Sequence, residues 1–548
     1  METESYLLSH LLNTNAVPER FEVASIQLGI HFVQNTLSQL QRQTRELEGQ
    51  LRQFHSVLSP ARRLPVEILG EIFSSAISHP LDETERKRLV NFALVCRTWH
   101  NAVYHAHRLW NSIRIPGELT ESSYEFILSC FSRSGGIPRL LEIGRSKFKA
   151  HDGCGESNSE CSSGSGTLLL AKLLTEGPTL RTLCIHFDRL DCFRNLLAAF
   201  QFFKLKDSAP RPWDSIRSLA LHFKWKWNEH PNPANSIFLS IPSTVTELQL
   251  YLPDFFAVAR GWGSHDSASE NAPLHLNQDL LGRLSSFLLS CDWKGARLLA
   301  HLPYCTAVET LTLDFKHMPM RYDQSDEFVR RIPDIGILLP KVHTLSLQNT
   351  LIEGLNILQF LNTPSLIRLD IDFTREDEVS TYRFAKRVEA FIKHRSQCEG
   401  TFRSLALHHA ATKTEDLAYL LTNLPSLTHV TLDDVSFKST LFETLRSSRI
   451  NLRPGRSISL PHLETLELLD LPYTFDPYYL VQFLMKRKGY DAGSVPPILR
   501  YPFDSIKRLV VTYKQAKLSD GLGGREEIEL LRNNTDMSLS IGPLLYSM

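Results

Sequence analysis

The sequence lacks any surplus of charge. Lysine plus arginine number 60, aspartate plus glutamate number 60, and the formal net charge is zero. Without a basic excess there is no general electrostatic case for nucleic acid or an anionic membrane surface. No apolar run reaches the roughly 18 residues that a membrane span requires. The opening METESYLLSHLLNTNAVPER has neither the basic n-region nor the long apolar core of a signal peptide. The 9 cysteines are odd in number and scattered, so reduced thiols in a cytoplasmic or nuclear protein are expected. The glycosylation acceptor at Asn533 is therefore idle. Catalytic signatures are missing too: no Gly-Lys-Ser/Thr loop, no Gly-x-Ser-x-Gly elbow and no His-Glu-x-x-His. The 21 histidines show no partner pattern, and His151, Cys154 and Cys161 fit no zinc spacing. No enzyme, no cofactor and no metal are expected.

What is present begins with a long helical pattern. Ile26, Ile30, Val33, Leu37, Leu40, Leu47, Leu51, Phe54 and Leu58 recur in steps of four and three, with Thr44 in the one missing place. That period predicts a helix over 1–58 whose stripe at 26–58 either self-associates as a coiled coil or packs on the protein's own body. Ser59-Pro60 ends it.

A denser apolar stretch follows, RRLPVEILGEIF at 62–73. Pro65 suits a first helical turn, having no N–H to waste there. Ile68, Leu69, Ile72 and Phe73 then share one stripe, opposite Glu67, Gly70 and Glu71. Further on, Leu89, Phe92, Val95, Cys96 and Trp99 form another stripe, with Asp82 and Glu85 placed as a capping box. The combination Leu64-Pro65, Glu67-Ile68-Leu69, Ile72-Phe73, Leu94-Val95-Cys96-x-x-Trp99 and Leu109-Trp110 resembles an F-box, and with the coil and the SP-x-RRLP junction it is similar to fungal F-box proteins. The resemblance implies a helical unit over 59–115 that docks on a Skp-type adaptor and through it on a cullin. Leu64, Pro65, Ile68, Leu69, Ile72 and Phe73 would form the docking face. Leu94, Val95, Cys96 and Trp99 would be shared between docking and the unit's own core. One departure is the charged insert SSAISHPLDETERKR between the two stripes. The competing reading is that the apolar side chains pack on the following domain.

Beyond 116 one phrase recurs: apolar-x-x-apolar-x-apolar. It starts at Leu180, Ile216, Val245, Leu284, Val308, Val342, Leu366, Phe402, Leu427, Leu463 and Ile506. At this apolar content a single match arises by chance at about 7% of positions, so one copy carries no information. Eleven copies 24 to 43 residues apart, interleaved with helical patterns, predict a solenoid over 116–518. PRLLEI before the first phrase reads as an initial strand, and loops are expected at 151–166 and 260–273, with a C-terminal cap and tail over 519–548. The phrase resembles degenerate leucine-rich repeats, although the place expected to hold Asn or Cys carries Asp188, Lys224, Pro253, Asp292, Lys316 and Thr350. The fold class is therefore α/β, an N-terminal helix and F-box unit followed by an irregular leucine-rich-repeat solenoid; an α/β sheet of another topology is the alternative.

Strand alternation assigns faces. With the fourth and sixth positions of each phrase in the core, the third, fifth and seventh line an inner surface. There Asp314, Asp370, Asp372, His408, Asp433 and Glu467 are candidate target-binding residues, a mildly acidic set that would favour a basic ligand; the competing reading is ordinary solvated strands. His408-His409 are expected to point one out and one in. Two functions fit this organisation. One is the substrate-recognition subunit of a cullin-based ubiquitin ligase, with an unknown target protein. The other is a repeat scaffold with no ligase role.

Overall fold

The computed structural model describes residues 11–14, 17–144, 165–203, 211–224, 227–253, 273–292, 295–316, 336–374, 384–447, 459–472, 475–487, 506–514 and 538–543. The chain divides into two compact units, 1–78 with 85–109, and 79–84 with 110–548. The middle of the charged insert and the end of the F-box-like stretch belong to the second unit.

In the first unit, α1 spans Arg20–Leu58 as one helix of 39 residues. A 3-10 turn at Pro60–Arg63 leads to α2, Val66–Ala76, with Pro65 at the N-cap, one place before the turn expected for it. Next come α3, Glu83–Ala93, and α4, Arg97–His105. The single stripe expected across Leu89 to Trp99 is thus broken: Leu94 and Val95 lie in a turn, and Cys96 is extended at the N-cap of α4. Glu85 accepts from the Ser78 N–H at 3.4 Å and from Arg88 at 2.9 Å, which binds the start of α3 to the end of α2.

The core of this unit is aromatic. The Phe73 ring lies 5.0 Å from Phe92 and 4.9 Å from Trp99. Leu69, Leu89, Ala102 and Val103 complete it. Gly70 lets α2 approach α4 closely, since a Cβ there would lie 3.1 Å from that of Ala106.

The second unit is built on one sheet of parallel strands. In chain order these are β1 (Ser112–Pro116), β2 (Leu140–Gly144), β3 (Thr182–Phe187), β4 (Ser218–Phe223), β5 (Glu247–Tyr251), β6 (Ser286–Ser290), β7 (Thr310–Asp314), β8 (Ile337–Leu338), β9 (Thr344–Thr350), β10 (Leu361–Asn362), β11 (Arg368–Phe373), β12 (Ser404–His408), β13 (His429–Asp433), β14 (Thr465–Leu471), β15 (Arg508–Tyr513) and β16 (Ser538–Pro543). Fourteen of them pair in sequence order, and β8 and β10 form a separate pair. Helices connect them, among them Ser165–Glu176, Leu190–Ala199, Thr414–Asn423, Thr440–Ser447 and Tyr478–Arg487, and successive helices pack side by side. This sequential order of strand and helix is the solenoid that the phrase predicts.

Every phrase forms a strand, in register. Leu183 pairs with Leu219, Leu219 with Leu248, Leu248 with Phe287, and the column continues through Leu311, Leu345, Leu369, Leu405, Val430, Leu466 and Leu509. The three apolar places of each phrase are almost fully buried, from Leu180 at 1% to Ile506 at 2% exposed. Three strands of the main sheet lie outside the phrases. β2 is the initial strand expected from PRLLEI; β1 precedes it and β16 follows the last phrase. The loop expected at 151–166 stops earlier, because Ser165 already begins a helix. The rest of it, with His151, Cys154 and Cys161, lies outside the described residues, as do 260–272 and most of 519–548; within the last range, β16 is a strand paired to β15.

The missing asparagine position is replaced by another device. Asn349, His409, Asp434 and Asp470, each one place beyond the inner-surface triplet, have positive φ between 47° and 53°, His409 and Asp434 just past their strands and Asn349 and Asp470 one residue before the end of theirs. Asn, Asp and His tolerate that region better than most residues. Each is bonded to a neighbouring repeat: Asn349 to Asp314 at 2.9 Å, His409 to Asp372 at 2.7 Å, the Asp434 N–H to Leu469 O at 2.9 Å, and the Asp470 N–H to Thr512 Oγ1 at 2.9 Å; Asp434 also meets Lys514, two strands away. One edge of the sheet is capped by the insert: Leu81 N donates to Ser112 O and Leu81 O accepts from Arg114 N, at 2.9 and 3.0 Å. Among the described residues six cysteines are free thiols, while Cys192 is disulfide-bonded, so the expectation of thiols throughout fails at that position.

Candidate functional site

Helical geometry divides the expected docking stripe. Leu69 and Phe73 point into the aromatic core at 1% and 2% exposure, whereas Ile68 and Ile72, one turn apart on the neighbouring edge of α2, are 48% and 47% exposed. Leu69 and Phe73 therefore hold the unit together and are withdrawn from the candidate face. Pro65 is exposed and Leu64 half-buried. The helix break frees Leu94 and Val95, at 77% and 60% exposure, and Cys96 is exposed as well. Trp99 is half-buried against Phe73, so of the four residues expected to be shared only Trp99 serves the core. Val90, 52% exposed on α3, joins the apolar set and was not singled out by its sequence. Its signal is its place four residues before Leu94. A unit this small leaves large apolar groups uncovered because its interior is too small to take them all.

In the second unit the third, fifth and seventh places of each phrase line the open face. Its acids are engaged by neighbours. Asp314 accepts from Ser290 at 2.6 Å, Asn349 at 2.9 Å and the Lys316 N–H at 3.0 Å. Glu467 pairs with Arg508 at 3.3 Å and accepts from Thr431 at 3.1 Å. His408 lies between two carboxylates, Asp370 at 3.2 Å and Asp433 at 3.0 Å, and Arg368 reaches Asp370 at 3.2 Å. His409, expected to point into the core, instead turns at its positive φ and meets Asp372. His408, Arg368 and Arg508 offset part of the negative charge on which a basic ligand was expected to act, while Asp314 is held by neutral donors. The partners Arg508 and Asn349 could have been found only by knowing the register.

Hydrogen bonds to Asp370 and Asp433 push His408 up to about 10, against its partial burial. Burial pushes Asp370 up, but His408 and Arg368 outweigh it and hold the carboxyl below its usual range. His408 is therefore an imidazolium at neutral pH. Its contribution to stability is full below the ordinary histidine value near 6.5 and disappears as pH rises through about 10. His408→Asn is expected to destabilise the repeat unit by about 1.5–3 kcal/mol near pH 7. Thermal melts at stepped pH should show the gap to wild type closing above pH ~10; a gap that widens there would refute the charge assignment.

The geometry of the first unit is matched by a sequence comparison. Residues 61–116 match the F-box-like family model. The F-box-like segment therefore runs from the 3-10 turn through α2, α3 and α4 to the end of β1. The chain is also similar to a solved structure, that of a TLR13–ssRNA13 complex, at 12% identity and a TM-score of 0.27, covering 79% of this chain. The chain spans 48% of that structure's length. No curated protein matches the chain. Among the described residues, no helix is long and apolar enough to cross a membrane.

Proposed function

We propose that this chain is the substrate-recognition subunit of a cullin-based ubiquitin ligase of the SCF type, and that it performs no catalysis itself. The F-box-like segment docks on a Skp-type adaptor through Pro65, Ile68, Ile72, Val90, Leu94 and Val95. The sheet unit, read as degenerate leucine-rich repeats of a fungal-type F-box protein, holds a target protein on its open face. The observation that carries this reading is the apolar set left exposed beside an aromatic core that buries Leu69 and Phe73, within the residues that match the F-box-like family. A few such anchors account for most of the energy of a protein interface. The test is co-expression of the full chain with a Skp-type adaptor and a cullin. A complex that stays together through size-exclusion chromatography supports the proposal. An adaptor that elutes apart from the chain returns the protein to the scaffold reading.

The exposed stripe of α1 favours self-association of residues 26–58 as well. Ile30, Val33, Leu37, Leu40, Leu47, Leu51, Phe54 and Leu58 are each between 49% and 68% exposed, which argues against the alternative that this stripe packs on the protein's own body. A heptad seam of this length is covered most simply by the same seam of a second copy. Leu40→Lys with Leu47→Lys is expected to convert a dimer to a monomer in sedimentation equilibrium. A wild-type chain that is monomeric at tens of micromolar removes the idea.

A further inference from the structure

We propose that the open face carries a binding site for a thiophilic divalent cation such as Zn²⁺, formed by Cys184, His186 and His222. This inference does not depend on the ligase reading, because it concerns residues of the sheet unit alone.

Cys184 and His186 sit two residues apart on β3 and so share one face of the strand. His222 on β4 is the direct cross-strand partner of His186. Three side chains are thereby brought together by register rather than by sequence spacing. Their candidate ligand atoms all lie within 4.8 Å of one another. The Cys184 Sγ is 3.7 Å from His186 Nε2. Tetrahedral zinc with ordinary Zn–S and Zn–N bonds separates those two atoms by about 3.6 Å, so this edge of the polyhedron is already at its bonded length. Closing on the third ligand must reorient the His222 ring within its stack between His186 and Tyr251.

The surroundings suit a cation. Glu142 on β2 lies beside the trio, its Oε1 3.8 Å from His186 Nε2, while its other oxygen is held by Arg114 at 2.9 Å. A thiolate at Cys184 would offset one of the ion's two charges, and the Glu142 carboxylate, shared with Arg114, adds part of a second. Imidazole ligates metals in its neutral form. Cys184 ligates as the thiolate, so the metal displaces the thiol proton on binding. Three protein ligands leave a fourth position for water or for a donor atom of a bound partner. The competing explanation is cross-strand stacking alone, because His222 lies between His186 at 4.0 Å and Tyr251 at 3.9 Å, centroid to centroid.

Cobalt(II) distinguishes the two. Full-length protein stripped of metal by a chelator is titrated with Co(II) and followed by absorbance. The expected result is one equivalent bound, with a near-ultraviolet thiolate charge-transfer band and visible bands of a tetrahedral ion. Cys184→Ser should remove the charge-transfer band. His222→Phe keeps a ring between His186 and Tyr251 but removes a ligand, and should weaken binding by at least about tenfold. Circular dichroism establishes that each variant folds. If Cys184→Ser does not, His222→Phe carries the test. The proposal is overturned if the folded wild type takes up no cobalt with these bands, or if both bands and affinity are unchanged in the folded variants, which would place the metal on other residues.

Discussion

Ile68→Asp combined with Leu94→Asp is expected to abolish capture of a Skp-type adaptor while leaving the fold of the chain unchanged. Both side chains are open to solvent, Ile68 about half and Leu94 more than three-quarters. Replacing them removes no contact of the aromatic core, and substitutions of this kind change stability by about 0.5 kcal/mol or less. Burial of each at an interface contributes about 1.5–3 kcal/mol. Their joint loss, with two carboxylates left to desolvate, weakens binding by at least about a thousandfold. Pull-down of the adaptor, beside a thermal melt of the same preparation, checks both halves. Undiminished capture by the folded double variant would show that this face is not where the adaptor sits.

Five residues along the same helix the expected effect is reversed. Phe73→Ala should cost about 3–5 kcal/mol and unfold the first unit, because the ring touches both Phe92 and Trp99 and is 2% exposed. That is a large share of the stability of a small domain. Limited proteolysis should cut this variant between 60 and 110 at protease levels that leave wild type intact. Adaptor binding falls too, but here as a consequence of unfolding, and the sheet unit keeps its circular dichroism. Resistance to protease equal to wild type would mean that the three rings are not the core.

The contrast shows where the sequence is legible. In the repeats, burial of three fixed places per phrase is imposed by strand alternation, so the phrase alone assigns Leu183, Leu219 and their successors to the core. In α2 the apolar residues occupy four places on about half the helix circumference, and composition does not say which edge meets α4. Gly70 is the local clue, since it marks where another backbone comes close. The break between α3 and α4 is hidden because Leu94-Val95-Cys96 continues the apolar pattern without a glycine or proline. β1 is hidden differently. Trp110, Ile113 and Ile115 fit the repeat phrase, and all three are buried, yet Trp110 also completes the F-box resemblance, which masks the phrase. The pairs on the open face are out of reach for a third reason. His408 and Asp433 are 25 residues apart, and Asp370 is a further rung away on the other side; loops of unequal length conceal which places align.

The strict column of rungs has a consequence for how this chain can change. Each strand abuts only the one before and the one after, so the energy of the array is close to a sum over adjacent pairs. Excising or duplicating one whole strand-and-helix module would exchange one such junction for a nearly equivalent one and leave distant modules undisturbed. The open face can then lengthen or shorten by whole modules, with each change confined to the junctions on either side of it.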